Sequence, residues 1–356
     1  MEVYYTIFIT AFLLCVFDFV RFKIIRTIPY VLFCLFTIAV AGFRDIGIDN
    51  DGRLYEYMFH FYDSSSLSDI LQGGYGYVEK GYVLFNKLIS YLGYDLHTLF
   101  MVMALMTGFS SYYFFYKRSQ YIFLSLSFYL AFYFLYRDFT QIRYAFASAL
   151  CFWIVTFYLE KKYKKSVLLF LLAILFHNSS VILLPVALVL RFVKNNKLYF
   201  LPVVPAIVIG SIMNLFPILL LMGLGNDHMM LYMDEEGGGG MMVSAIGLFI
   251  MLLYYFTTYK KSERNKDMDA YFRILSIGVS LNFLFIQSAI FQRFTFILFQ
   301  FAILLLPYIL MELNKKVRMR AIFLLVYFFT ACFLLYYGVN MIDENLVRPY
   351  KTFFDK

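Results

Sequence analysis

Residues 121–159 read YIFLSLSFYLAFYFLYRDFTQIRYAFASALCFWIVTFYL. Two apolar stretches, 121–136 and 141–159, are separated by a polar junction that holds Arg137 and leads to Arg143 near the start of the second stretch. As helices rising about 1.5 Å per residue, both stretches are long enough to cross or nearly cross a hydrocarbon core of about 30 Å. This part of the chain therefore predicts two membrane-spanning helices with arginines at their shared end.

The same apolar pattern fills the rest of the chain. Hydrophobic residues make up 62% of the 356 residues and charged residues only 15%, whereas a soluble domain has about 25% charged residues. We expect an all-α, polytopic integral membrane protein of about 11–12 transmembrane helices. It would form a single transmembrane domain over residues 1–356, with no soluble catalytic domain. The predicted spans are 3–20, 28–43, 97–116, 121–136, 141–159, 166–176, 178–191, 198–222, 241–259, 270–290, 294–311 and 321–339.

The pair of spans 166–176 and 178–191 is unusual because both of its flanks carry clustered Lys and Arg although the two segments together are short. We expect a broken or re-entrant hairpin with His177 at its apex. Non-helical backbone at membrane depth is stable only where protein or water satisfies its polar groups. The apex is therefore expected to border a hydrated cavity.

Clustered basic residues predict which side of the membrane each connection faces. Most of the 31 Lys and Arg fall in the clusters 21–26, 117–118, 161–165, 191–197, 260–266 and 315–320. Basic connections are retained in the cytoplasm, so both termini are predicted outside. The outer face would then hold a large loop over 43–97 with an interfacial helix at 82–91, a flexible glycine-rich loop over 226–240, and the C-terminal tail 340–356.

Several arginines stand apart from these clusters, at the other ends of the apolar segments. A charged group at membrane depth is costly, so it indicates a functional site by default. For Arg137 the alternatives are a salt bridge to Asp138 or Asp45, or simple anchoring at the interface. The isolated arginines considered as binding residues are Arg44, Arg137 and Arg143, with Gln141 on the helical face of Arg137, and Arg293, with Gln292 beside it.

Four further polar residues are candidates for acid–base chemistry. His177 follows an unbroken apolar run and could cap or bridge helices, donate to a phosphate, or exchange a proton near pH 7. Asp49, Asp51 and Glu79 lie in the large loop, where most carboxylates are solvated, but any one held among arginines could act as a general base. The other histidines lack ligand-like spacing, so we expect no metal and no cofactor.

Arginines without zinc ligands or a nucleotide-binding loop favour a site for a diphosphate or another polyanion. Planar guanidinium groups bind phosphate oxygens in pairs and stay charged at any working pH. On the outer face of a membrane, the corresponding ligands are sugars linked to a polyprenyl diphosphate.

Short motifs occur in order along nearly the full chain. They are Ala41-Gly-Phe-Arg44 with Gly47-Ile-Asp49 and Tyr55, Glu79-Lys-Gly-Tyr82, Gln141-Ile-Arg143 before small residues, Phe176-His177-Asn-Ser-Ser with Pro185, Arg293-Phe, and Pro349-Tyr350-Lys351. In these motifs the chain resembles the EpsG-type family of bacterial polysaccharide polymerases, similar in role to the Wzy polymerases of O-antigen and capsule assembly. The family often has Arg-Gln where this chain has Arg143-Tyr144, so we expect this amide contact to be either lost or supplied by Gln141.

The resemblance implies a metal-independent membrane glycosyltransferase. It would move a growing glycan from undecaprenyl diphosphate to the non-reducing end of an incoming lipid-linked repeat unit, on the outer face of the bacterial cytoplasmic membrane. Arg44, Arg143, His177 and Arg293 would surround the diphosphate or the acceptor, with Asp49, Asp51 or Glu79 as the base. Tyr55 and Tyr350 lie in matched motifs and are expected to support the site.

The expected partner is an undecaprenyl-diphosphate-linked oligosaccharide. A chain-length regulator and a flippase in the same membrane are candidate protein partners, and no nucleic acid is expected. Two other functions remain open: an O-antigen ligase-type glycosyltransferase, which uses the same donor chemistry with a different acceptor, and a lipid-linked oligosaccharide flippase or transporter.

Overall fold

A computed structural model describes residues 1–72, 78–215, 217, 240–258, 265–315 and 320–355, without the side chains of 71, 72, 289, 290 and 292. Within these ranges the chain is helical, with only two isolated β-bridges. Eight of the described helical segments are long and apolar enough to cross a membrane. The prediction of an all-α, polytopic membrane protein is therefore confirmed.

The helices are numbered here in chain order. They are α1 (Glu2–Leu14), α2 (Lys23–Gly42), α3 (Gly52–Ser64), α4 (Leu67–Gln72), α5 (Lys80–Tyr91), α6 (Leu96–Arg118), α7 (Ile122–Tyr129), a π-helix (Leu130–Thr140), α8 (Ile142–Leu159), α9 (Tyr163–Phe176), α10 (Leu183–Phe192), α11 (Val203–Ile212), α12 (Met241–Thr258), α13 (Lys266–Leu284), α14 (Ala289–Phe299), α15 (Ala302–Asn314) and α16 (Arg320–Asn340). Short 3-10 turns cover Cys15–Phe19, Asn178–Ile182 and Asn196–Phe200.

The eight long segments coincide with eight predicted spans, and their ends differ from the predicted ones by a few residues. The other four predicted spans fall on shorter or more polar helices, and residues 216 and 218–222 of the predicted span 198–222 lie outside the described residues. α9, α10 and α11 have 14, 10 and 10 residues, and α13 carries Lys266, Asp267, Asp269 and Arg273 near its start. The helix break at His177 lies where the apex of the hairpin was predicted, with the residue in an extended conformation.

The chain forms two compact units, residues 1–178 with 314–356 and residues 179–313. In the first unit the segment Ile122–Thr140 is the most enclosed, with 89% of it buried. α1, α7 and α16 pack on one another, and α6 packs on both α2 and α8. The outward faces of α2 and α16 expose large apolar side chains such as Leu32 and Phe329, as expected where lipid replaces water as the solvent.

One end of the first unit carries the basic connections. There the buried Asp18 accepts hydrogen bonds from the backbone N–H groups of Phe123 and Leu124 at 3.1 and 2.9 Å and from the Tyr327 hydroxyl at 2.8 Å. These two N–H groups belong to the first turn of α7, which has no partner for them within the helix. Asp18 therefore caps α7 from another part of the chain.

The opposite end carries the 43–97 segment and the C-terminal tail. α5 covers the residues for which an interfacial helix was predicted. α3 was not predicted: it extends through Asp63, where the sequence suggested loop, and only a short break separates it from α4. Gly73-Gly-Tyr-Gly and all but the last residue of the 226–240 loop lie outside the described residues.

The tail after α16 is held against the start of the 43–97 segment. The N–H of Arg348 donates to the carbonyl of Ile48 at 2.8 Å, and the N–H of Asp45 donates to the carbonyl of Lys351 at 3.0 Å. The Tyr4 hydroxyl donates to the Arg348 carbonyl at 3.0 Å. The first helix, the large loop and the tail therefore meet at the same end of this unit.

The second unit is held by polar contacts between its helices. Asp269 accepts hydrogen bonds from Asn196 at 2.6 Å and from the Tyr254 hydroxyl at 2.9 Å. Asn282 on α13 donates to Ser244 on α12 at 2.7 Å and accepts from Thr295 on α14 at 2.9 Å. Such bonds satisfy polar groups that lipid cannot.

Candidate active site

Arg143 and Glu79 form an ion pair that joins the first turn of α8 to the residue before α5. Arg143 Nη1 lies 2.5 Å from Glu79 Oε2. The two side chains are 15% and 8% exposed, so the pair is enclosed but still accessible. The second carboxylate oxygen, Oε1, accepts the backbone N–H of Asn178 at 3.1 Å. Glu79 thus connects the large loop to the start of α8 and the end of α9.

Two buried tyrosines surround the Arg143 guanidinium. Its Cζ lies 5.5 Å from the ring centroid of Tyr82, and the Tyr82 and Tyr55 rings meet edge to face at 6.0 Å. Burial raises the pKa of both hydroxyls above the usual value of 10.0, and the nearby Arg143 offsets part of this rise. Both tyrosines therefore stay neutral and can donate hydrogen bonds. Tyr55, predicted as a supporting residue, lies in this cluster.

His177 lies at the same place, at the end of α9. Its ring contacts that of Tyr144 on α8, with centroids 4.9 Å apart, and the next residue, Asn178, donates its N–H to Glu79. His177 is partly exposed. The structure therefore brings together three sequence-predicted residues, Glu79, Arg143 and His177, on segments that are far apart in the sequence.

Gly81 explains how α5 comes so close to α9. A Cβ atom at this position would lie 2.6 Å from both the Cβ and the carbonyl oxygen of Leu175, a separation that packed atoms do not tolerate. The motif Glu79-Lys-Gly-Tyr82 thus has a structural reason: the glycine allows the approach, and the carboxylate and the phenol on either side of it face Arg143.

Arg44 and Asp49 form a second ion pair with a different environment. Arg44 Nε lies 2.8 Å from Asp49 Oδ2, and both side chains are fully buried. Asp49 Oδ1 accepts the N–H of Asp51 at 3.0 Å, and the Arg44 guanidinium lies 4.0 Å from the Phe100 ring centroid. This enclosure favours a structural role for the pair, although Arg44 and Asp49 were predicted to bind diphosphate and to act as the base.

Tyr350 belongs to the same structural region. Its hydroxyl donates to the carbonyl of Val40 at 3.0 Å, and burial raises its pKa to about 12. Residues 44 and 49 each form an isolated β-bridge with the tail, to Thr352 and Val347. Gly47, between them, has φ +84, a conformation that glycine adopts without strain. The motifs around Arg44 and Tyr350 therefore hold the tail on the loop.

Arg137 pairs with Asp138, which is the salt-bridge alternative considered from the sequence. Its Nε lies 3.3 Å from Asp138 Oδ1, and the pair is buried inside the π-helix. The guanidinium also lies 4.2 Å from the Tyr133 ring centroid, a contact that stabilises a buried cation. π-helical segments are rare and often occur near functional sites; this one ends at the junction with α8.

Four predicted site residues remain: Gln141, Asp51, Arg293 and Gln292. Gln141 connects the π-helix to α8, and its N–H donates to the carbonyl of Arg137 at 2.8 Å. Asp51 precedes α3 and is partly exposed. Arg293 is partly exposed on α14, in the second unit, so its place beside Arg143 stays a prediction. The side chain of Gln292 lies outside the described part of the structure.

Sequence reasoning assigned no role to Tyr82, Asn86 and Asn178. Tyr82 stood in a recognised motif, and its spacing from Asn86, one helical turn, was a usable signal. The N–H contact of Asn178 could not be read from the sequence. No three His, Cys, Asp or Glu side chains of the described residues are grouped so that they could hold a metal ion, and metal independence stays a prediction.

The Arg143–Glu79 pair lies at the end of the first unit opposite the basic connections. α8 begins next to Arg143 and α9 ends next to His177, while the short turn between these helices adjoins the 161–165 lysine cluster. Arg118 and Glu160 pair at that other end and are more exposed. If the lysines face the cytoplasm, the candidate site faces outward.

Comparison with known protein families matches nearly the full chain. The family model described as "EpsG family" matches residues 27–352 of the 356, which includes every predicted site residue. No curated protein and no solved structure matches the chain.

Proposed function

This chain belongs to the EpsG family, a bacterial family with a polysaccharide-polymerase type of function, and we propose that it polymerises lipid-linked repeat units on the outer face of the cytoplasmic membrane. The enzyme would transfer the growing glycan from undecaprenyl diphosphate to the non-reducing-end sugar of an incoming unit. The observation that carries this proposal is the accessible Arg143–Glu79 pair beside His177, at the end of the unit opposite the basic connections.

In the proposed reaction the acceptor hydroxyl attacks the anomeric carbon of the donor. A new carbon–oxygen bond forms, the bond to the diphosphate breaks, and undecaprenyl diphosphate leaves with the electron pair. Arg143 stabilises the negative charge that develops on this leaving group. Such electrostatic stabilisation by a fixed group is usually the largest single contribution to rate acceleration. Glu79 accepts the proton of the acceptor hydroxyl.

The ion pair allows Arg143 to bind the diphosphate first and Glu79 to accept the proton afterwards. Without a ligand, Arg143 and Glu79 neutralise each other, so neither enclosed charge is left unpaired. A diphosphate that binds Arg143 competes for the guanidinium and loosens its hold on Glu79, which then becomes a better proton acceptor. The base is thereby released when the donor is in place. His177 lies beside this pair and is assigned to the diphosphate.

The experiment is polymer synthesis by the purified protein from lipid-linked repeat units, scored as a ladder of products. We expect Arg143→Gln to reduce polymer formation by about 100-fold or more, the usual loss when a charge-stabilising donor is removed. Arg118→Gln is the matched control, because Arg118 also pairs with a glutamate but at the opposite end of the unit; it should keep nearly full activity.

The products also separate the alternatives. Transfer of glycan to lipid A core would indicate a ligase, and movement of the lipid between leaflets without new glycosidic bonds would indicate a flippase. A normal ladder from Arg143→Gln would refute the assignment of this residue.

A further inference from the structure

Three buried polar atoms of Arg143 and of two α5 side chains form no hydrogen bond of normal geometry with the described residues, although the Tyr82 hydroxyl lies close enough to the Asn86 side chain to interact with it. They are the hydroxyl oxygen of Tyr82, Oδ1 of Asn86 and Nε of Arg143. Tyr82 is fully buried and Asn86 is 1% exposed. Leaving one buried polar group unpaired costs about 1–3 kcal/mol, so three of them at one place need an explanation.

The three atoms belong to neighbouring side chains. Asn86 lies one turn after Tyr82 on α5, and its Nδ2 donates to the Tyr82 carbonyl at 2.7 Å; the amide is thereby fixed, with Oδ1 left over. Arg143 Cζ lies 5.5 Å from the Tyr82 ring centroid. Arg143 already gives Nη1 to Glu79, so Nε is a separate donor. These three atoms, which we call the floor of the site, are buried, whereas the Glu79 side chain is 8% exposed.

The combination of donors and acceptors restricts what this floor can bind. Nε of Arg143 only donates, Oδ1 of Asn86 only accepts, and a phenol hydroxyl does both. A phosphate oxygen only accepts, so it would satisfy Arg143 but meet the lone pairs of Asn86. A neutral hydroxyl can accept from Arg143 or Tyr82 and donate to Asn86. The floor therefore matches an alcohol better than an anion.

We propose that Tyr82 and Asn86, with Nε of Arg143, form a hydroxyl-binding subsite for the acceptor sugar. The subsite would bind a hydroxyl adjacent to the one that reacts, because it lies next to Glu79, the proposed proton acceptor. Tyr82 and Asn86 thus determine which acceptor sugar is used and how it is oriented. This inference rests on the proposed function and extends it from the diphosphate to the acceptor.

The test compares acceptors that differ by one hydroxyl. The probes are the host's own lipid-linked repeat unit and a set of analogues, each lacking one hydroxyl of the non-reducing-end sugar. For the wild-type protein we expect kcat/KM to fall roughly 10- to 100-fold for one particular deoxy analogue, as expected when buried polar groups lose their partner.

The variant Tyr82→Phe should have nearly the same kcat/KM for the complete acceptor and for this deoxy analogue. Its kcat/KM for the complete acceptor should fall below that of the wild type, and its kcat/KM for the deoxy analogue should equal that of the wild type. Asn86→Ala should behave in the same way, and it provides a second measurement if Tyr82→Phe folds poorly. The matched control is Tyr91→Phe, on the same helix but 84% exposed, which should discriminate like the wild type.

Two results would count against the inference. If Tyr82→Phe and Asn86→Ala discriminate among the analogues as the wild type does, the subsite is wrong while polymerisation stands. If the wild type makes no polymer from the complete repeat unit, the proposed function fails and the acceptor subsite falls with it.

Discussion

At the scale of single residues, the lone arginines of this sequence divide into two kinds. Arg143 is paired but accessible, whereas Arg44 is paired with Asp49 and fully enclosed. Both look alike in the sequence, as isolated cations beside apolar spans. The difference arises from long-range packing, because aromatic rings and the C-terminal tail cover Arg44. These contacts come from distant parts of the chain and cannot be predicted from the residues next to Arg44.

The Arg44–Asp49 pair should therefore act on stability. Arg44→Met leaves the Asp49 carboxylate buried without its partner and should cost about 3–5 kcal/mol, whereas the double variant Arg44→Met/Asp49→Asn should recover most of that loss because no buried charge remains. The midpoint of thermal unfolding in detergent measures both. If Arg44→Met kept the stability of the wild type but made no polymer, Arg44 would instead belong to the diphosphate site, as the sequence suggested.

The choice among the three candidate carboxylates also depends on long-range contacts. Sequence spacing left Asp49, Asp51 and Glu79 open. Asp49 is 2% exposed and bonded through both oxygens, while Glu79 reaches Arg143, which is 64 positions further along the chain. A contact of that length has no periodic signature, so the sequence alone could not place Glu79 beside Arg143.

At the scale of elements, α5 positions the site through its contact with α9. Gly81→Leu would insert a side chain where even a Cβ atom would lie 2.6 Å from Leu175. We therefore expect α5 to move away from α9, which would separate Glu79 from the N–H group of Asn178. A displacement of about 1 Å between reacting groups can cost about 100-fold in rate. We expect a loss of this size in the polymerisation assay, with the protein still folded.

The neighbouring exposed position provides the control for that experiment. Lys80→Leu adds the same side chain to the same turn without entering the contact, and it should leave polymer formation nearly unchanged. Full activity of Gly81→Leu would show that the approach of α5 to α9 is not needed.

The elements themselves were predictable to different degrees. Long apolar spans were found to within a few residues because length and hydrophobicity act locally. α3 was missed because serine and aspartate near its end suggested loop. Its buried residues nevertheless recur at helical spacing, a signal that a helical-wheel count would have found; they are Tyr55, Met58, Phe59 and Tyr62.

At the scale of the whole molecule, the first unit separates basic connections from the proposed reaction centre. Lysines at one end and Glu79, Arg143 and His177 at the other follow from the antiparallel pair α8 and α9. The sequence predicted this separation through the distribution of Lys and Arg. It did not predict that the tail would bind the 43–97 segment, because backbone hydrogen bonds such as Arg348 to Ile48 carry no sequence pattern.

The central claim is that the Arg143–Glu79 site faces outward and binds the lipid-linked donor, and cysteine labelling in intact cells tests it most directly. Single cysteines are introduced in a variant whose four native cysteines are replaced by alanine. Asn178→Cys reports on the site, since its side chain is exposed next to His177, and Lys164→Cys reports on the opposite end.

We predict that a membrane-impermeant maleimide modifies Asn178→Cys from outside, and Lys164→Cys only after the membrane is permeabilised. In the purified protein, the lipid-linked repeat unit should slow the modification of Asn178→Cys and leave that of Lys164→Cys unchanged. Modification of Asn178→Cys only after permeabilisation, or at a rate that the lipid-linked repeat unit does not alter, would contradict the account.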